Sequence, residues 1–210
     1  CYVALSSVAG RYLATLMVDA VVFVLICLLP TASLLHLLTE GGPLVRLPFL
    51  EQLLLYIVLS DFLLYWIHRV FHGGIFWPFH AIHHAVEKVD WTTAYRFHPI
   101  NIMFSVYLVS PVMIYLGISA EILTLLAPFN LAYSYFVHAN LNWTLGPLKY
   151  IFASPIFHRW HHTTSDRGGN KNFAPTFPFL DLAFGTFYMP DGQRPDRFGT
   201  DDRDVPRNLI

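Results

Sequence analysis

Four apolar stretches, residues 12–38, 47–71, 100–118 and 120–137, dominate this chain of 210 residues, and each is close to the length that crosses a bilayer. A hydrocarbon core of ~30 Å takes about 20 helical residues. Asp19, Pro30, Asp61, Pro111 and Pro128 interrupt the runs lightly. Gly41-Gly42-Pro43 breaks the first pair and Gly117 with Ser119 breaks the second, so the pattern predicts two transmembrane hairpins. Segments three and four have almost no chain between them and must be antiparallel neighbours. Charged residues make up 13% of the chain, against about 25% in ordinary soluble domains, and the apolar share is 55%. A net charge of −1 excludes a general basic field for nucleic acid. Cys1 and Cys27 are too few for a disulfide framework. A first residue of Cys rather than Met suggests a fragment, and without a cleavable signal pattern the first apolar run is expected to stay in the mature protein.

Ten of the eleven histidines then fall into a few tight clusters at the ends of these segments or in the polar stretches beyond them: His68-x3-His72, His80-x2-His83-His84, His98, His138 and His158-x2-His161-His162. With four alternating crossings, the exit of segment two, the entry of segment three and the exit of segment four share one side of the membrane. The stretches 73–97 and 139–210 lie on that side too, so every clustered histidine reaches one face. Arg69, Lys88, Arg96, Lys149, Arg159, Arg167 and Lys171 are there as well, against Arg46 opposite, which marks that face as cytoplasmic. His36 stands alone and is read as a packed or interfacial residue. The tryptophans near segment ends are read as interfacial anchors.

Imidazole is the commonest nitrogen ligand of catalytic transition metals. His68 and His72, four apart, share a helix face. In each H-x-x-H-H box the first histidine can pair with either of the last two, while the adjacent pair splays by about 100° and can serve different metals. Ten nitrogens suffice for two metals at four to five ligands each. Carboxylate di-iron bundles use E-x-x-H instead, and this chain has no E-x-x-H and four Glu in all. Ligating histidines need partners that fix ring direction; Asp61, on one helical stripe with Tyr65, His68 and His72, is a candidate, as are Asp166 and Asp181 for the last box. An intramembrane carboxylate is by default a functional suspect. The expected fold is an all-α integral membrane protein: four transmembrane helices in two hairpins, with a cytoplasmic histidine-rich helical cap holding a dimetal site. It is expected to form a single domain over 1–210, ending in a solvated polar tail at 191–210.

The ordered set Asp61-x3-Tyr65-x2-His68-Arg69-x2-His72, Phe79-His80-x2-His83-His84, Arg96-x-His98-Pro99, His138-Ala139-Asn140, Pro155-x2-His158-Arg159-x-His161-His162, Asn172-Phe173-Ala174 and Asp181-x2-Phe184-Gly185-Thr186 resembles the fatty acid hydroxylase superfamily, which includes sterol desaturases and C-4 methyl oxidases. The likeness covers about 60–190 and is greatest to bacterial members called sterol desaturase family proteins. One departure is Ala174, where that motif often has Gly. The resemblance implies two non-haem iron ions (zinc being able to replace them on purification) held by the ten histidines, with Asn172 joining Asp61, Tyr65 and Asp181 as supporting residues. It also implies O2 as co-substrate and attack on an unactivated C–H bond of a lipid, by hydroxylation, desaturation or ether cleavage. The chain has no dinucleotide fingerprint, iron–sulfur cysteines or haem segment, so a separate ferredoxin or cytochrome b5 is implied as electron donor. A bacterial inner membrane, or the endoplasmic reticulum of a eukaryote, is the expected location. Rival readings are a metal transporter, which would place ligands at the bilayer midplane, a bis-histidine haem protein, which has no use for adjacent doublets, and a non-catalytic metal-binding family member.

Overall fold

A computed structural model describes residues 41–200, which are all-helical apart from one isolated bridge between Thr163 and Phe198. The predicted first segment and His36 lie outside the described residues. Three helices are long and apolar enough to cross a membrane: α1 (Phe49–Phe71), α3 (Pro99–Leu116) and α4 (Ala120–His138). Between α1 and α3 lie the short α2 (Trp77–His84) and a 3-10 turn, Trp91–Tyr95. After α4 come a further 3-10 turn, Gly146–Tyr150, then α5 (Pro155–His161) and α6 (Phe179–Ala183).

Local chemistry sets these boundaries. Ser119 caps α4 by accepting from the Ile122 N–H, Ser154 caps α5 by accepting from Phe157, and Pro155 then occupies the first turn, where no N–H is needed. Asp90 and Thr93 form a reciprocal capping box on the 91–95 turn. Pro111 and Pro128 remain inside α3 and α4 without ending them, as membrane helices tolerate.

The spanning helices join around a core of Tyr56, Ile67, Phe71, Val109, Met113, Ile118 and Ile122. The end remote from the histidines is closed by buried Gln52, whose amide donates to Leu47 O at 3.0 Å and whose oxygen accepts from Ser119 N at 3.0 Å. Gly117 turns the chain there at φ +93°, a left-handed conformation that favours glycine. Gly42 packs so tightly on that turn that a Cβ would come within 2.2 Å of Leu116 C and Tyr115 O. Neither backbone atom can yield, so Gly42→Ala is expected to force the turn from α1 and to lower the thermal midpoint in detergent by several degrees. An unchanged midpoint would show that this contact is not made.

The sequence predicts a solvated tail from 191. Its far part, 201–210, lies outside the described residues. Before it, Asp191 is exposed and pairs with Lys149 at 2.9 Å, while the segment then turns back onto α5: Gly199 N donates to His162 O at 3.3 Å, and the Arg159 guanidinium lies 5.2 Å from the Phe198 ring.

Candidate metal centre

The C-terminal ends of α1 and α4, the start of α3 and the whole of α2 and α5 meet at one end of the molecule, and their histidines form two groups. His68, His72, His80, His84 and His161 make the first; His83, His138, His158 and His162 make the second, with the ligand atoms of each group within 4.8 Å of one another. The division is one that the helical period allows. In each H-x-x-H-H box the i, i+4 pair stays together, His80 with His84 in the first group and His158 with His162 in the second. The middle histidine of each box, about 100° away around the helix, crosses to the other group. The two boxes therefore interlock, each contributing two ligands to one group and one to the other.

All nine rings turn Nε2 inward. The close Nε2–Nε2 approaches are 3.1 Å (His68–His80), 3.2 Å (His72–His161), 3.2 Å (His80–His84), 3.2 Å (His83–His138), 2.9 Å (His138–His158) and 3.2 Å (His158–His162). The outer nitrogens decide what these approaches mean. His68 Nδ1 donates to Phe173 O at 2.7 Å, His161 Nδ1 to Lys171 O at 2.7 Å, His138 Nδ1 to Ser134 O at 2.7 Å and His83 Nδ1 to Arg96 O at 3.2 Å. His80 Nδ1 donates to the Asn101 side-chain oxygen at 2.6 Å, and His72 Nδ1 to that of Asn170 at 3.1 Å. An oxygen of this kind only accepts, so the ring proton sits on Nδ1 and each Nε2 carries a lone pair. Lone pairs facing one another at these distances repel unless a cation lies between them. With metal–nitrogen bonds of about 2.0–2.1 Å, neighbouring ligand atoms stand roughly 2.9–3.4 Å apart, the spacing found here. The donor set thus fits two metal ions, one with five histidines and one with four. His158 and His162 have buried Nδ1 atoms without a hydrogen-bond partner among the described residues, so the second group is oriented at only two of its four rings.

Burial, reinforced by neighbouring rings, holds His72 down to about 3 and keeps His80, His83, His84, His158, His161 and His162 well below the usual histidine range. These rings stay neutral in the folded state, while the unfolded chain takes up protons below about pH 6.5. The unfolded state therefore binds more protons in that range, and the metal-free protein is expected to lose stability as pH falls below about 6.5. Thermal unfolding of metal-free protein across this range checks the sign: a midpoint that rises on acidification would contradict it.

His98 stands outside both groups. It is the N-cap of α3, and its Nδ1 accepts from Ile100 N at 3.1 Å. Accepting at Nδ1 places its proton on Nε2, the reverse of the tautomer that the other rings hold. Its ring lies against Phe79, centroids 4.9 Å apart. His98→Ala is expected to cost about 1 kcal/mol as a lost cap and to leave metal content unchanged, whereas His138→Ala lowers it; equal metal loss in both variants would return His98 to the ligand set.

The expected supporting residues act one step further out. Asp181 accepts from Phe173 N (2.7 Å), Ala174 N (2.9 Å) and the Thr186 hydroxyl (2.6 Å). It thereby holds the segment whose Phe173 carbonyl orients His68. Since Thr186 donates to Asp181, Tyr65 donates to Thr186 (2.8 Å) and itself accepts from Arg69 (3.1 Å). Asn172, at φ +59°, donates to Phe157 O and Tyr188 O and accepts from Tyr188 N. Asp61 accepts from Phe177 N at 2.9 Å. Asp166 accepts from the Thr164 hydroxyl within its own turn. Asn101 and Asn170 were missed by the sequence reading. Asn101 had a signal, as an amide in the first turn of an otherwise apolar helix; Asn170, in a polar loop, had none.

Two openings reach the groups. A mainly apolar cavity of about 220 Å³ lies between α1, α3 and α4 and touches both: His68 and His80 of the first, His83, His138 and His158 of the second. A more polar opening of about 380 Å³, lined by Trp77, Thr163, Asn170 and Thr200 among others, meets His72 and His84 from another side.

A family model described as fatty acid hydroxylase matches residues 53–186. The chain is 32% identical over 144 residues to an ornithine lipid hydroxylase of Rhizobium tropici, covering 68% of this chain and 44% of that protein. It is 35% identical over 128 residues to alkylglycerol monooxygenase of Homo sapiens, covering 60% of this chain and 28% of that protein. To a methylsterol monooxygenase of Arabidopsis thaliana it is 27% identical over 143 residues, 64% of this chain and 52% of the relative. The chain thus spans about half the length of these relatives or less. No solved structure matches. Together with the three helices of spanning length, these similarities describe a multi-pass membrane protein.

Proposed function

The chain belongs to the fatty acid hydroxylase family, and from that premise we propose that it is a membrane-bound di-iron oxygenase that hydroxylates an unactivated C–H bond of a lipid. The observation that carries this reading is the contact between one apolar cavity and both histidine groups. Irons bound by the two groups would supply the activation of O2. The chain's own part is to bind and orient. Neutral rings present Nε2, backbone carbonyls and two Asn side chains fix their direction, and the cavity holds a lipid carbon beside His68, His80, His83, His138 and His158 while keeping bulk water away. One oxygen atom enters the lipid as an alcohol and the other leaves as water, which requires two electrons and two protons from outside the chain. A ferredoxin or cytochrome b5 is the proposed electron donor.

In the same proposal the first apolar stretch, 12–38, completes four spans within a single domain, and the histidine end faces the cytoplasm. The excess of Lys and Arg on that side supports the orientation. The lipid classes named for the relatives, ornithine lipid, alkylglycerol and methylsterol, are the first substrates to screen.

The test is metal content of detergent-purified protein with a Mössbauer spectrum of an iron-57 preparation, followed by O2 uptake of the reduced protein with each lipid. Two coupled irons per chain and lipid-dependent O2 consumption are expected. One redox-silent metal that iron cannot replace would favour a non-catalytic metal-binding role.

A further inference from the structure

The stretch 172–190 carries a single Asp or Glu, the buried Asp181, and no Lys or Arg. From Phe173, whose carbonyl meets His68, it descends along α1 away from the histidine end as far as Phe177. Asp61, which accepts from Phe177 N at 2.9 Å, lies ten residues before the end of α1, about 15 Å along the axis. That is about the middle of a ~30 Å hydrocarbon core. An independent contact agrees. The Tyr133 hydroxyl, five residues before the end of α4, donates to Ala153 O at 2.8 Å, and Ala153 N donates to Thr176 O at 2.8 Å.

We propose that residues 173–184, together with 151–153, are sunk into the leaflet beside α1, with Ile151, Phe152, Phe179, Leu182 and Phe184 against lipid acyl chains. These five side chains are 47%, 40%, 41%, 48% and 37% exposed. Their face continues the outer stripe of a spanning helix, because Phe184 packs on Phe62 and Trp66 of α1 with centroids 6.3 and 5.0 Å away. Leu54, Val58, Phe62 and Trp66 form that exposed stripe at helical spacing.

The backbone supports the same placement. Irregular chain at membrane depth is tolerated only where its polar groups are paired within the protein. Here Phe173 N and Ala174 N go to Asp181, Phe177 N to Asp61, Phe173 O to His68, Thr176 O to Ala153 and Ala153 O to Tyr133. Two carboxylates and a phenol thus serve backbone that water would otherwise solvate. Pro175 and Thr176 of this segment also line the apolar cavity, so its wall is a boundary with lipid, and a lipid chain reaches the histidines without crossing water.

Nitroxide labels at Ile151→Cys, Phe179→Cys and Leu182→Cys, in a chain with Cys1 and Cys27 replaced by Ser and reconstituted into phosphatidylcholine nanodiscs, test the proposal by power saturation. Spin-labelled lipids give the depth scale, and Ser165→Cys, beside exposed Asp166 and Arg167, gives the aqueous reference. All three labels are expected to collide freely with O2 and poorly with a water-soluble nickel chelate. Access to nickel like that of Ser165→Cys overturns the proposal, and so does shielding from both reagents, which would mean that protein covers this face. Hydroxyl-radical footprinting of the unsubstituted chain is a second measurement: modification of Phe179 and Phe184 at the rate of solvent-exposed residues likewise overturns it. Neither readout depends on bound metal or on activity.

Discussion

Replacing His161 with alanine is expected to abolish lipid oxidation and to lower bound metal, while the chain still inserts and keeps its helices. His161 is fully buried and its Nε2 lies 3.2 Å from that of His72, inside the group of five. Its Nδ1 is committed to Lys171 O at 2.7 Å, so the inner nitrogen has no role in packing or capping. Loss of partners that merely orient ligating histidines costs about 10–100-fold in affinity or activity; loss of the ligand itself should exceed that. Metal analysis beside circular dichroism separates the outcomes. Helix content held with metal reduced supports the assignment, whereas unchanged metal content would remove His161 from the ligand set.

The second large effect is expected at Asp181, which is no ligand. Asp181→Ala leaves Phe173 N, Ala174 N and the Thr186 hydroxyl without their acceptor. Each buried unsatisfied group costs about 1–3 kcal/mol, so a total of roughly 3–5 kcal/mol is expected after relaxation. For a chain of this size that is a fall of roughly 10 °C in thermal midpoint. Metal affinity should fall as well, because the freed segment carries the carbonyl that fixes His68. Asp181→Asn keeps one acceptor oxygen but turns an N–H₂ toward existing donors, so it should lie between the two. A midpoint within 1–2 °C of the parent for Asp181→Ala would show that 173–174 is held by other contacts.

The pairs that matter most differ in how far they could be seen from the sequence. His68-x3-His72 places both rings on one face because 3.6 residues make a turn, and the structure keeps them in one group. For the H-x-x-H-H boxes the same period allows i+3 or i+4 pairing. Choosing i+4 needed the facing box, since His84 meets His161 and His72 while His83 meets His138 and His162. His98 shows a different limit. Its place at a helix entry is legible, but the tautomer depends on an N–H two residues on that takes its Nδ1 lone pair. Among the supporting residues, Asp61 was legible as an intramembrane carboxylate. Its partner, the Phe177 N–H 116 residues away, was not, because every non-proline residue offers such a donor.

By itself the sequence determined the materials: helices of spanning length, histidines gathered at one end of them, and a residue type suited to bind a transition metal. These follow from composition and from the helical period, which act over a few residues. Only the tertiary structure decided the division into groups of five and four, the place of His98 outside both, the carbonyl and asparagine oxygens that set six of the tautomers, and the packing of 173–184 against α1. Apart from the local contacts of His98 with Ile100 and of His138 with Ser134, these rest on contacts between distant parts of the chain. Their partners are often backbone atoms, which carry no mark in the sequence until the fold brings them together.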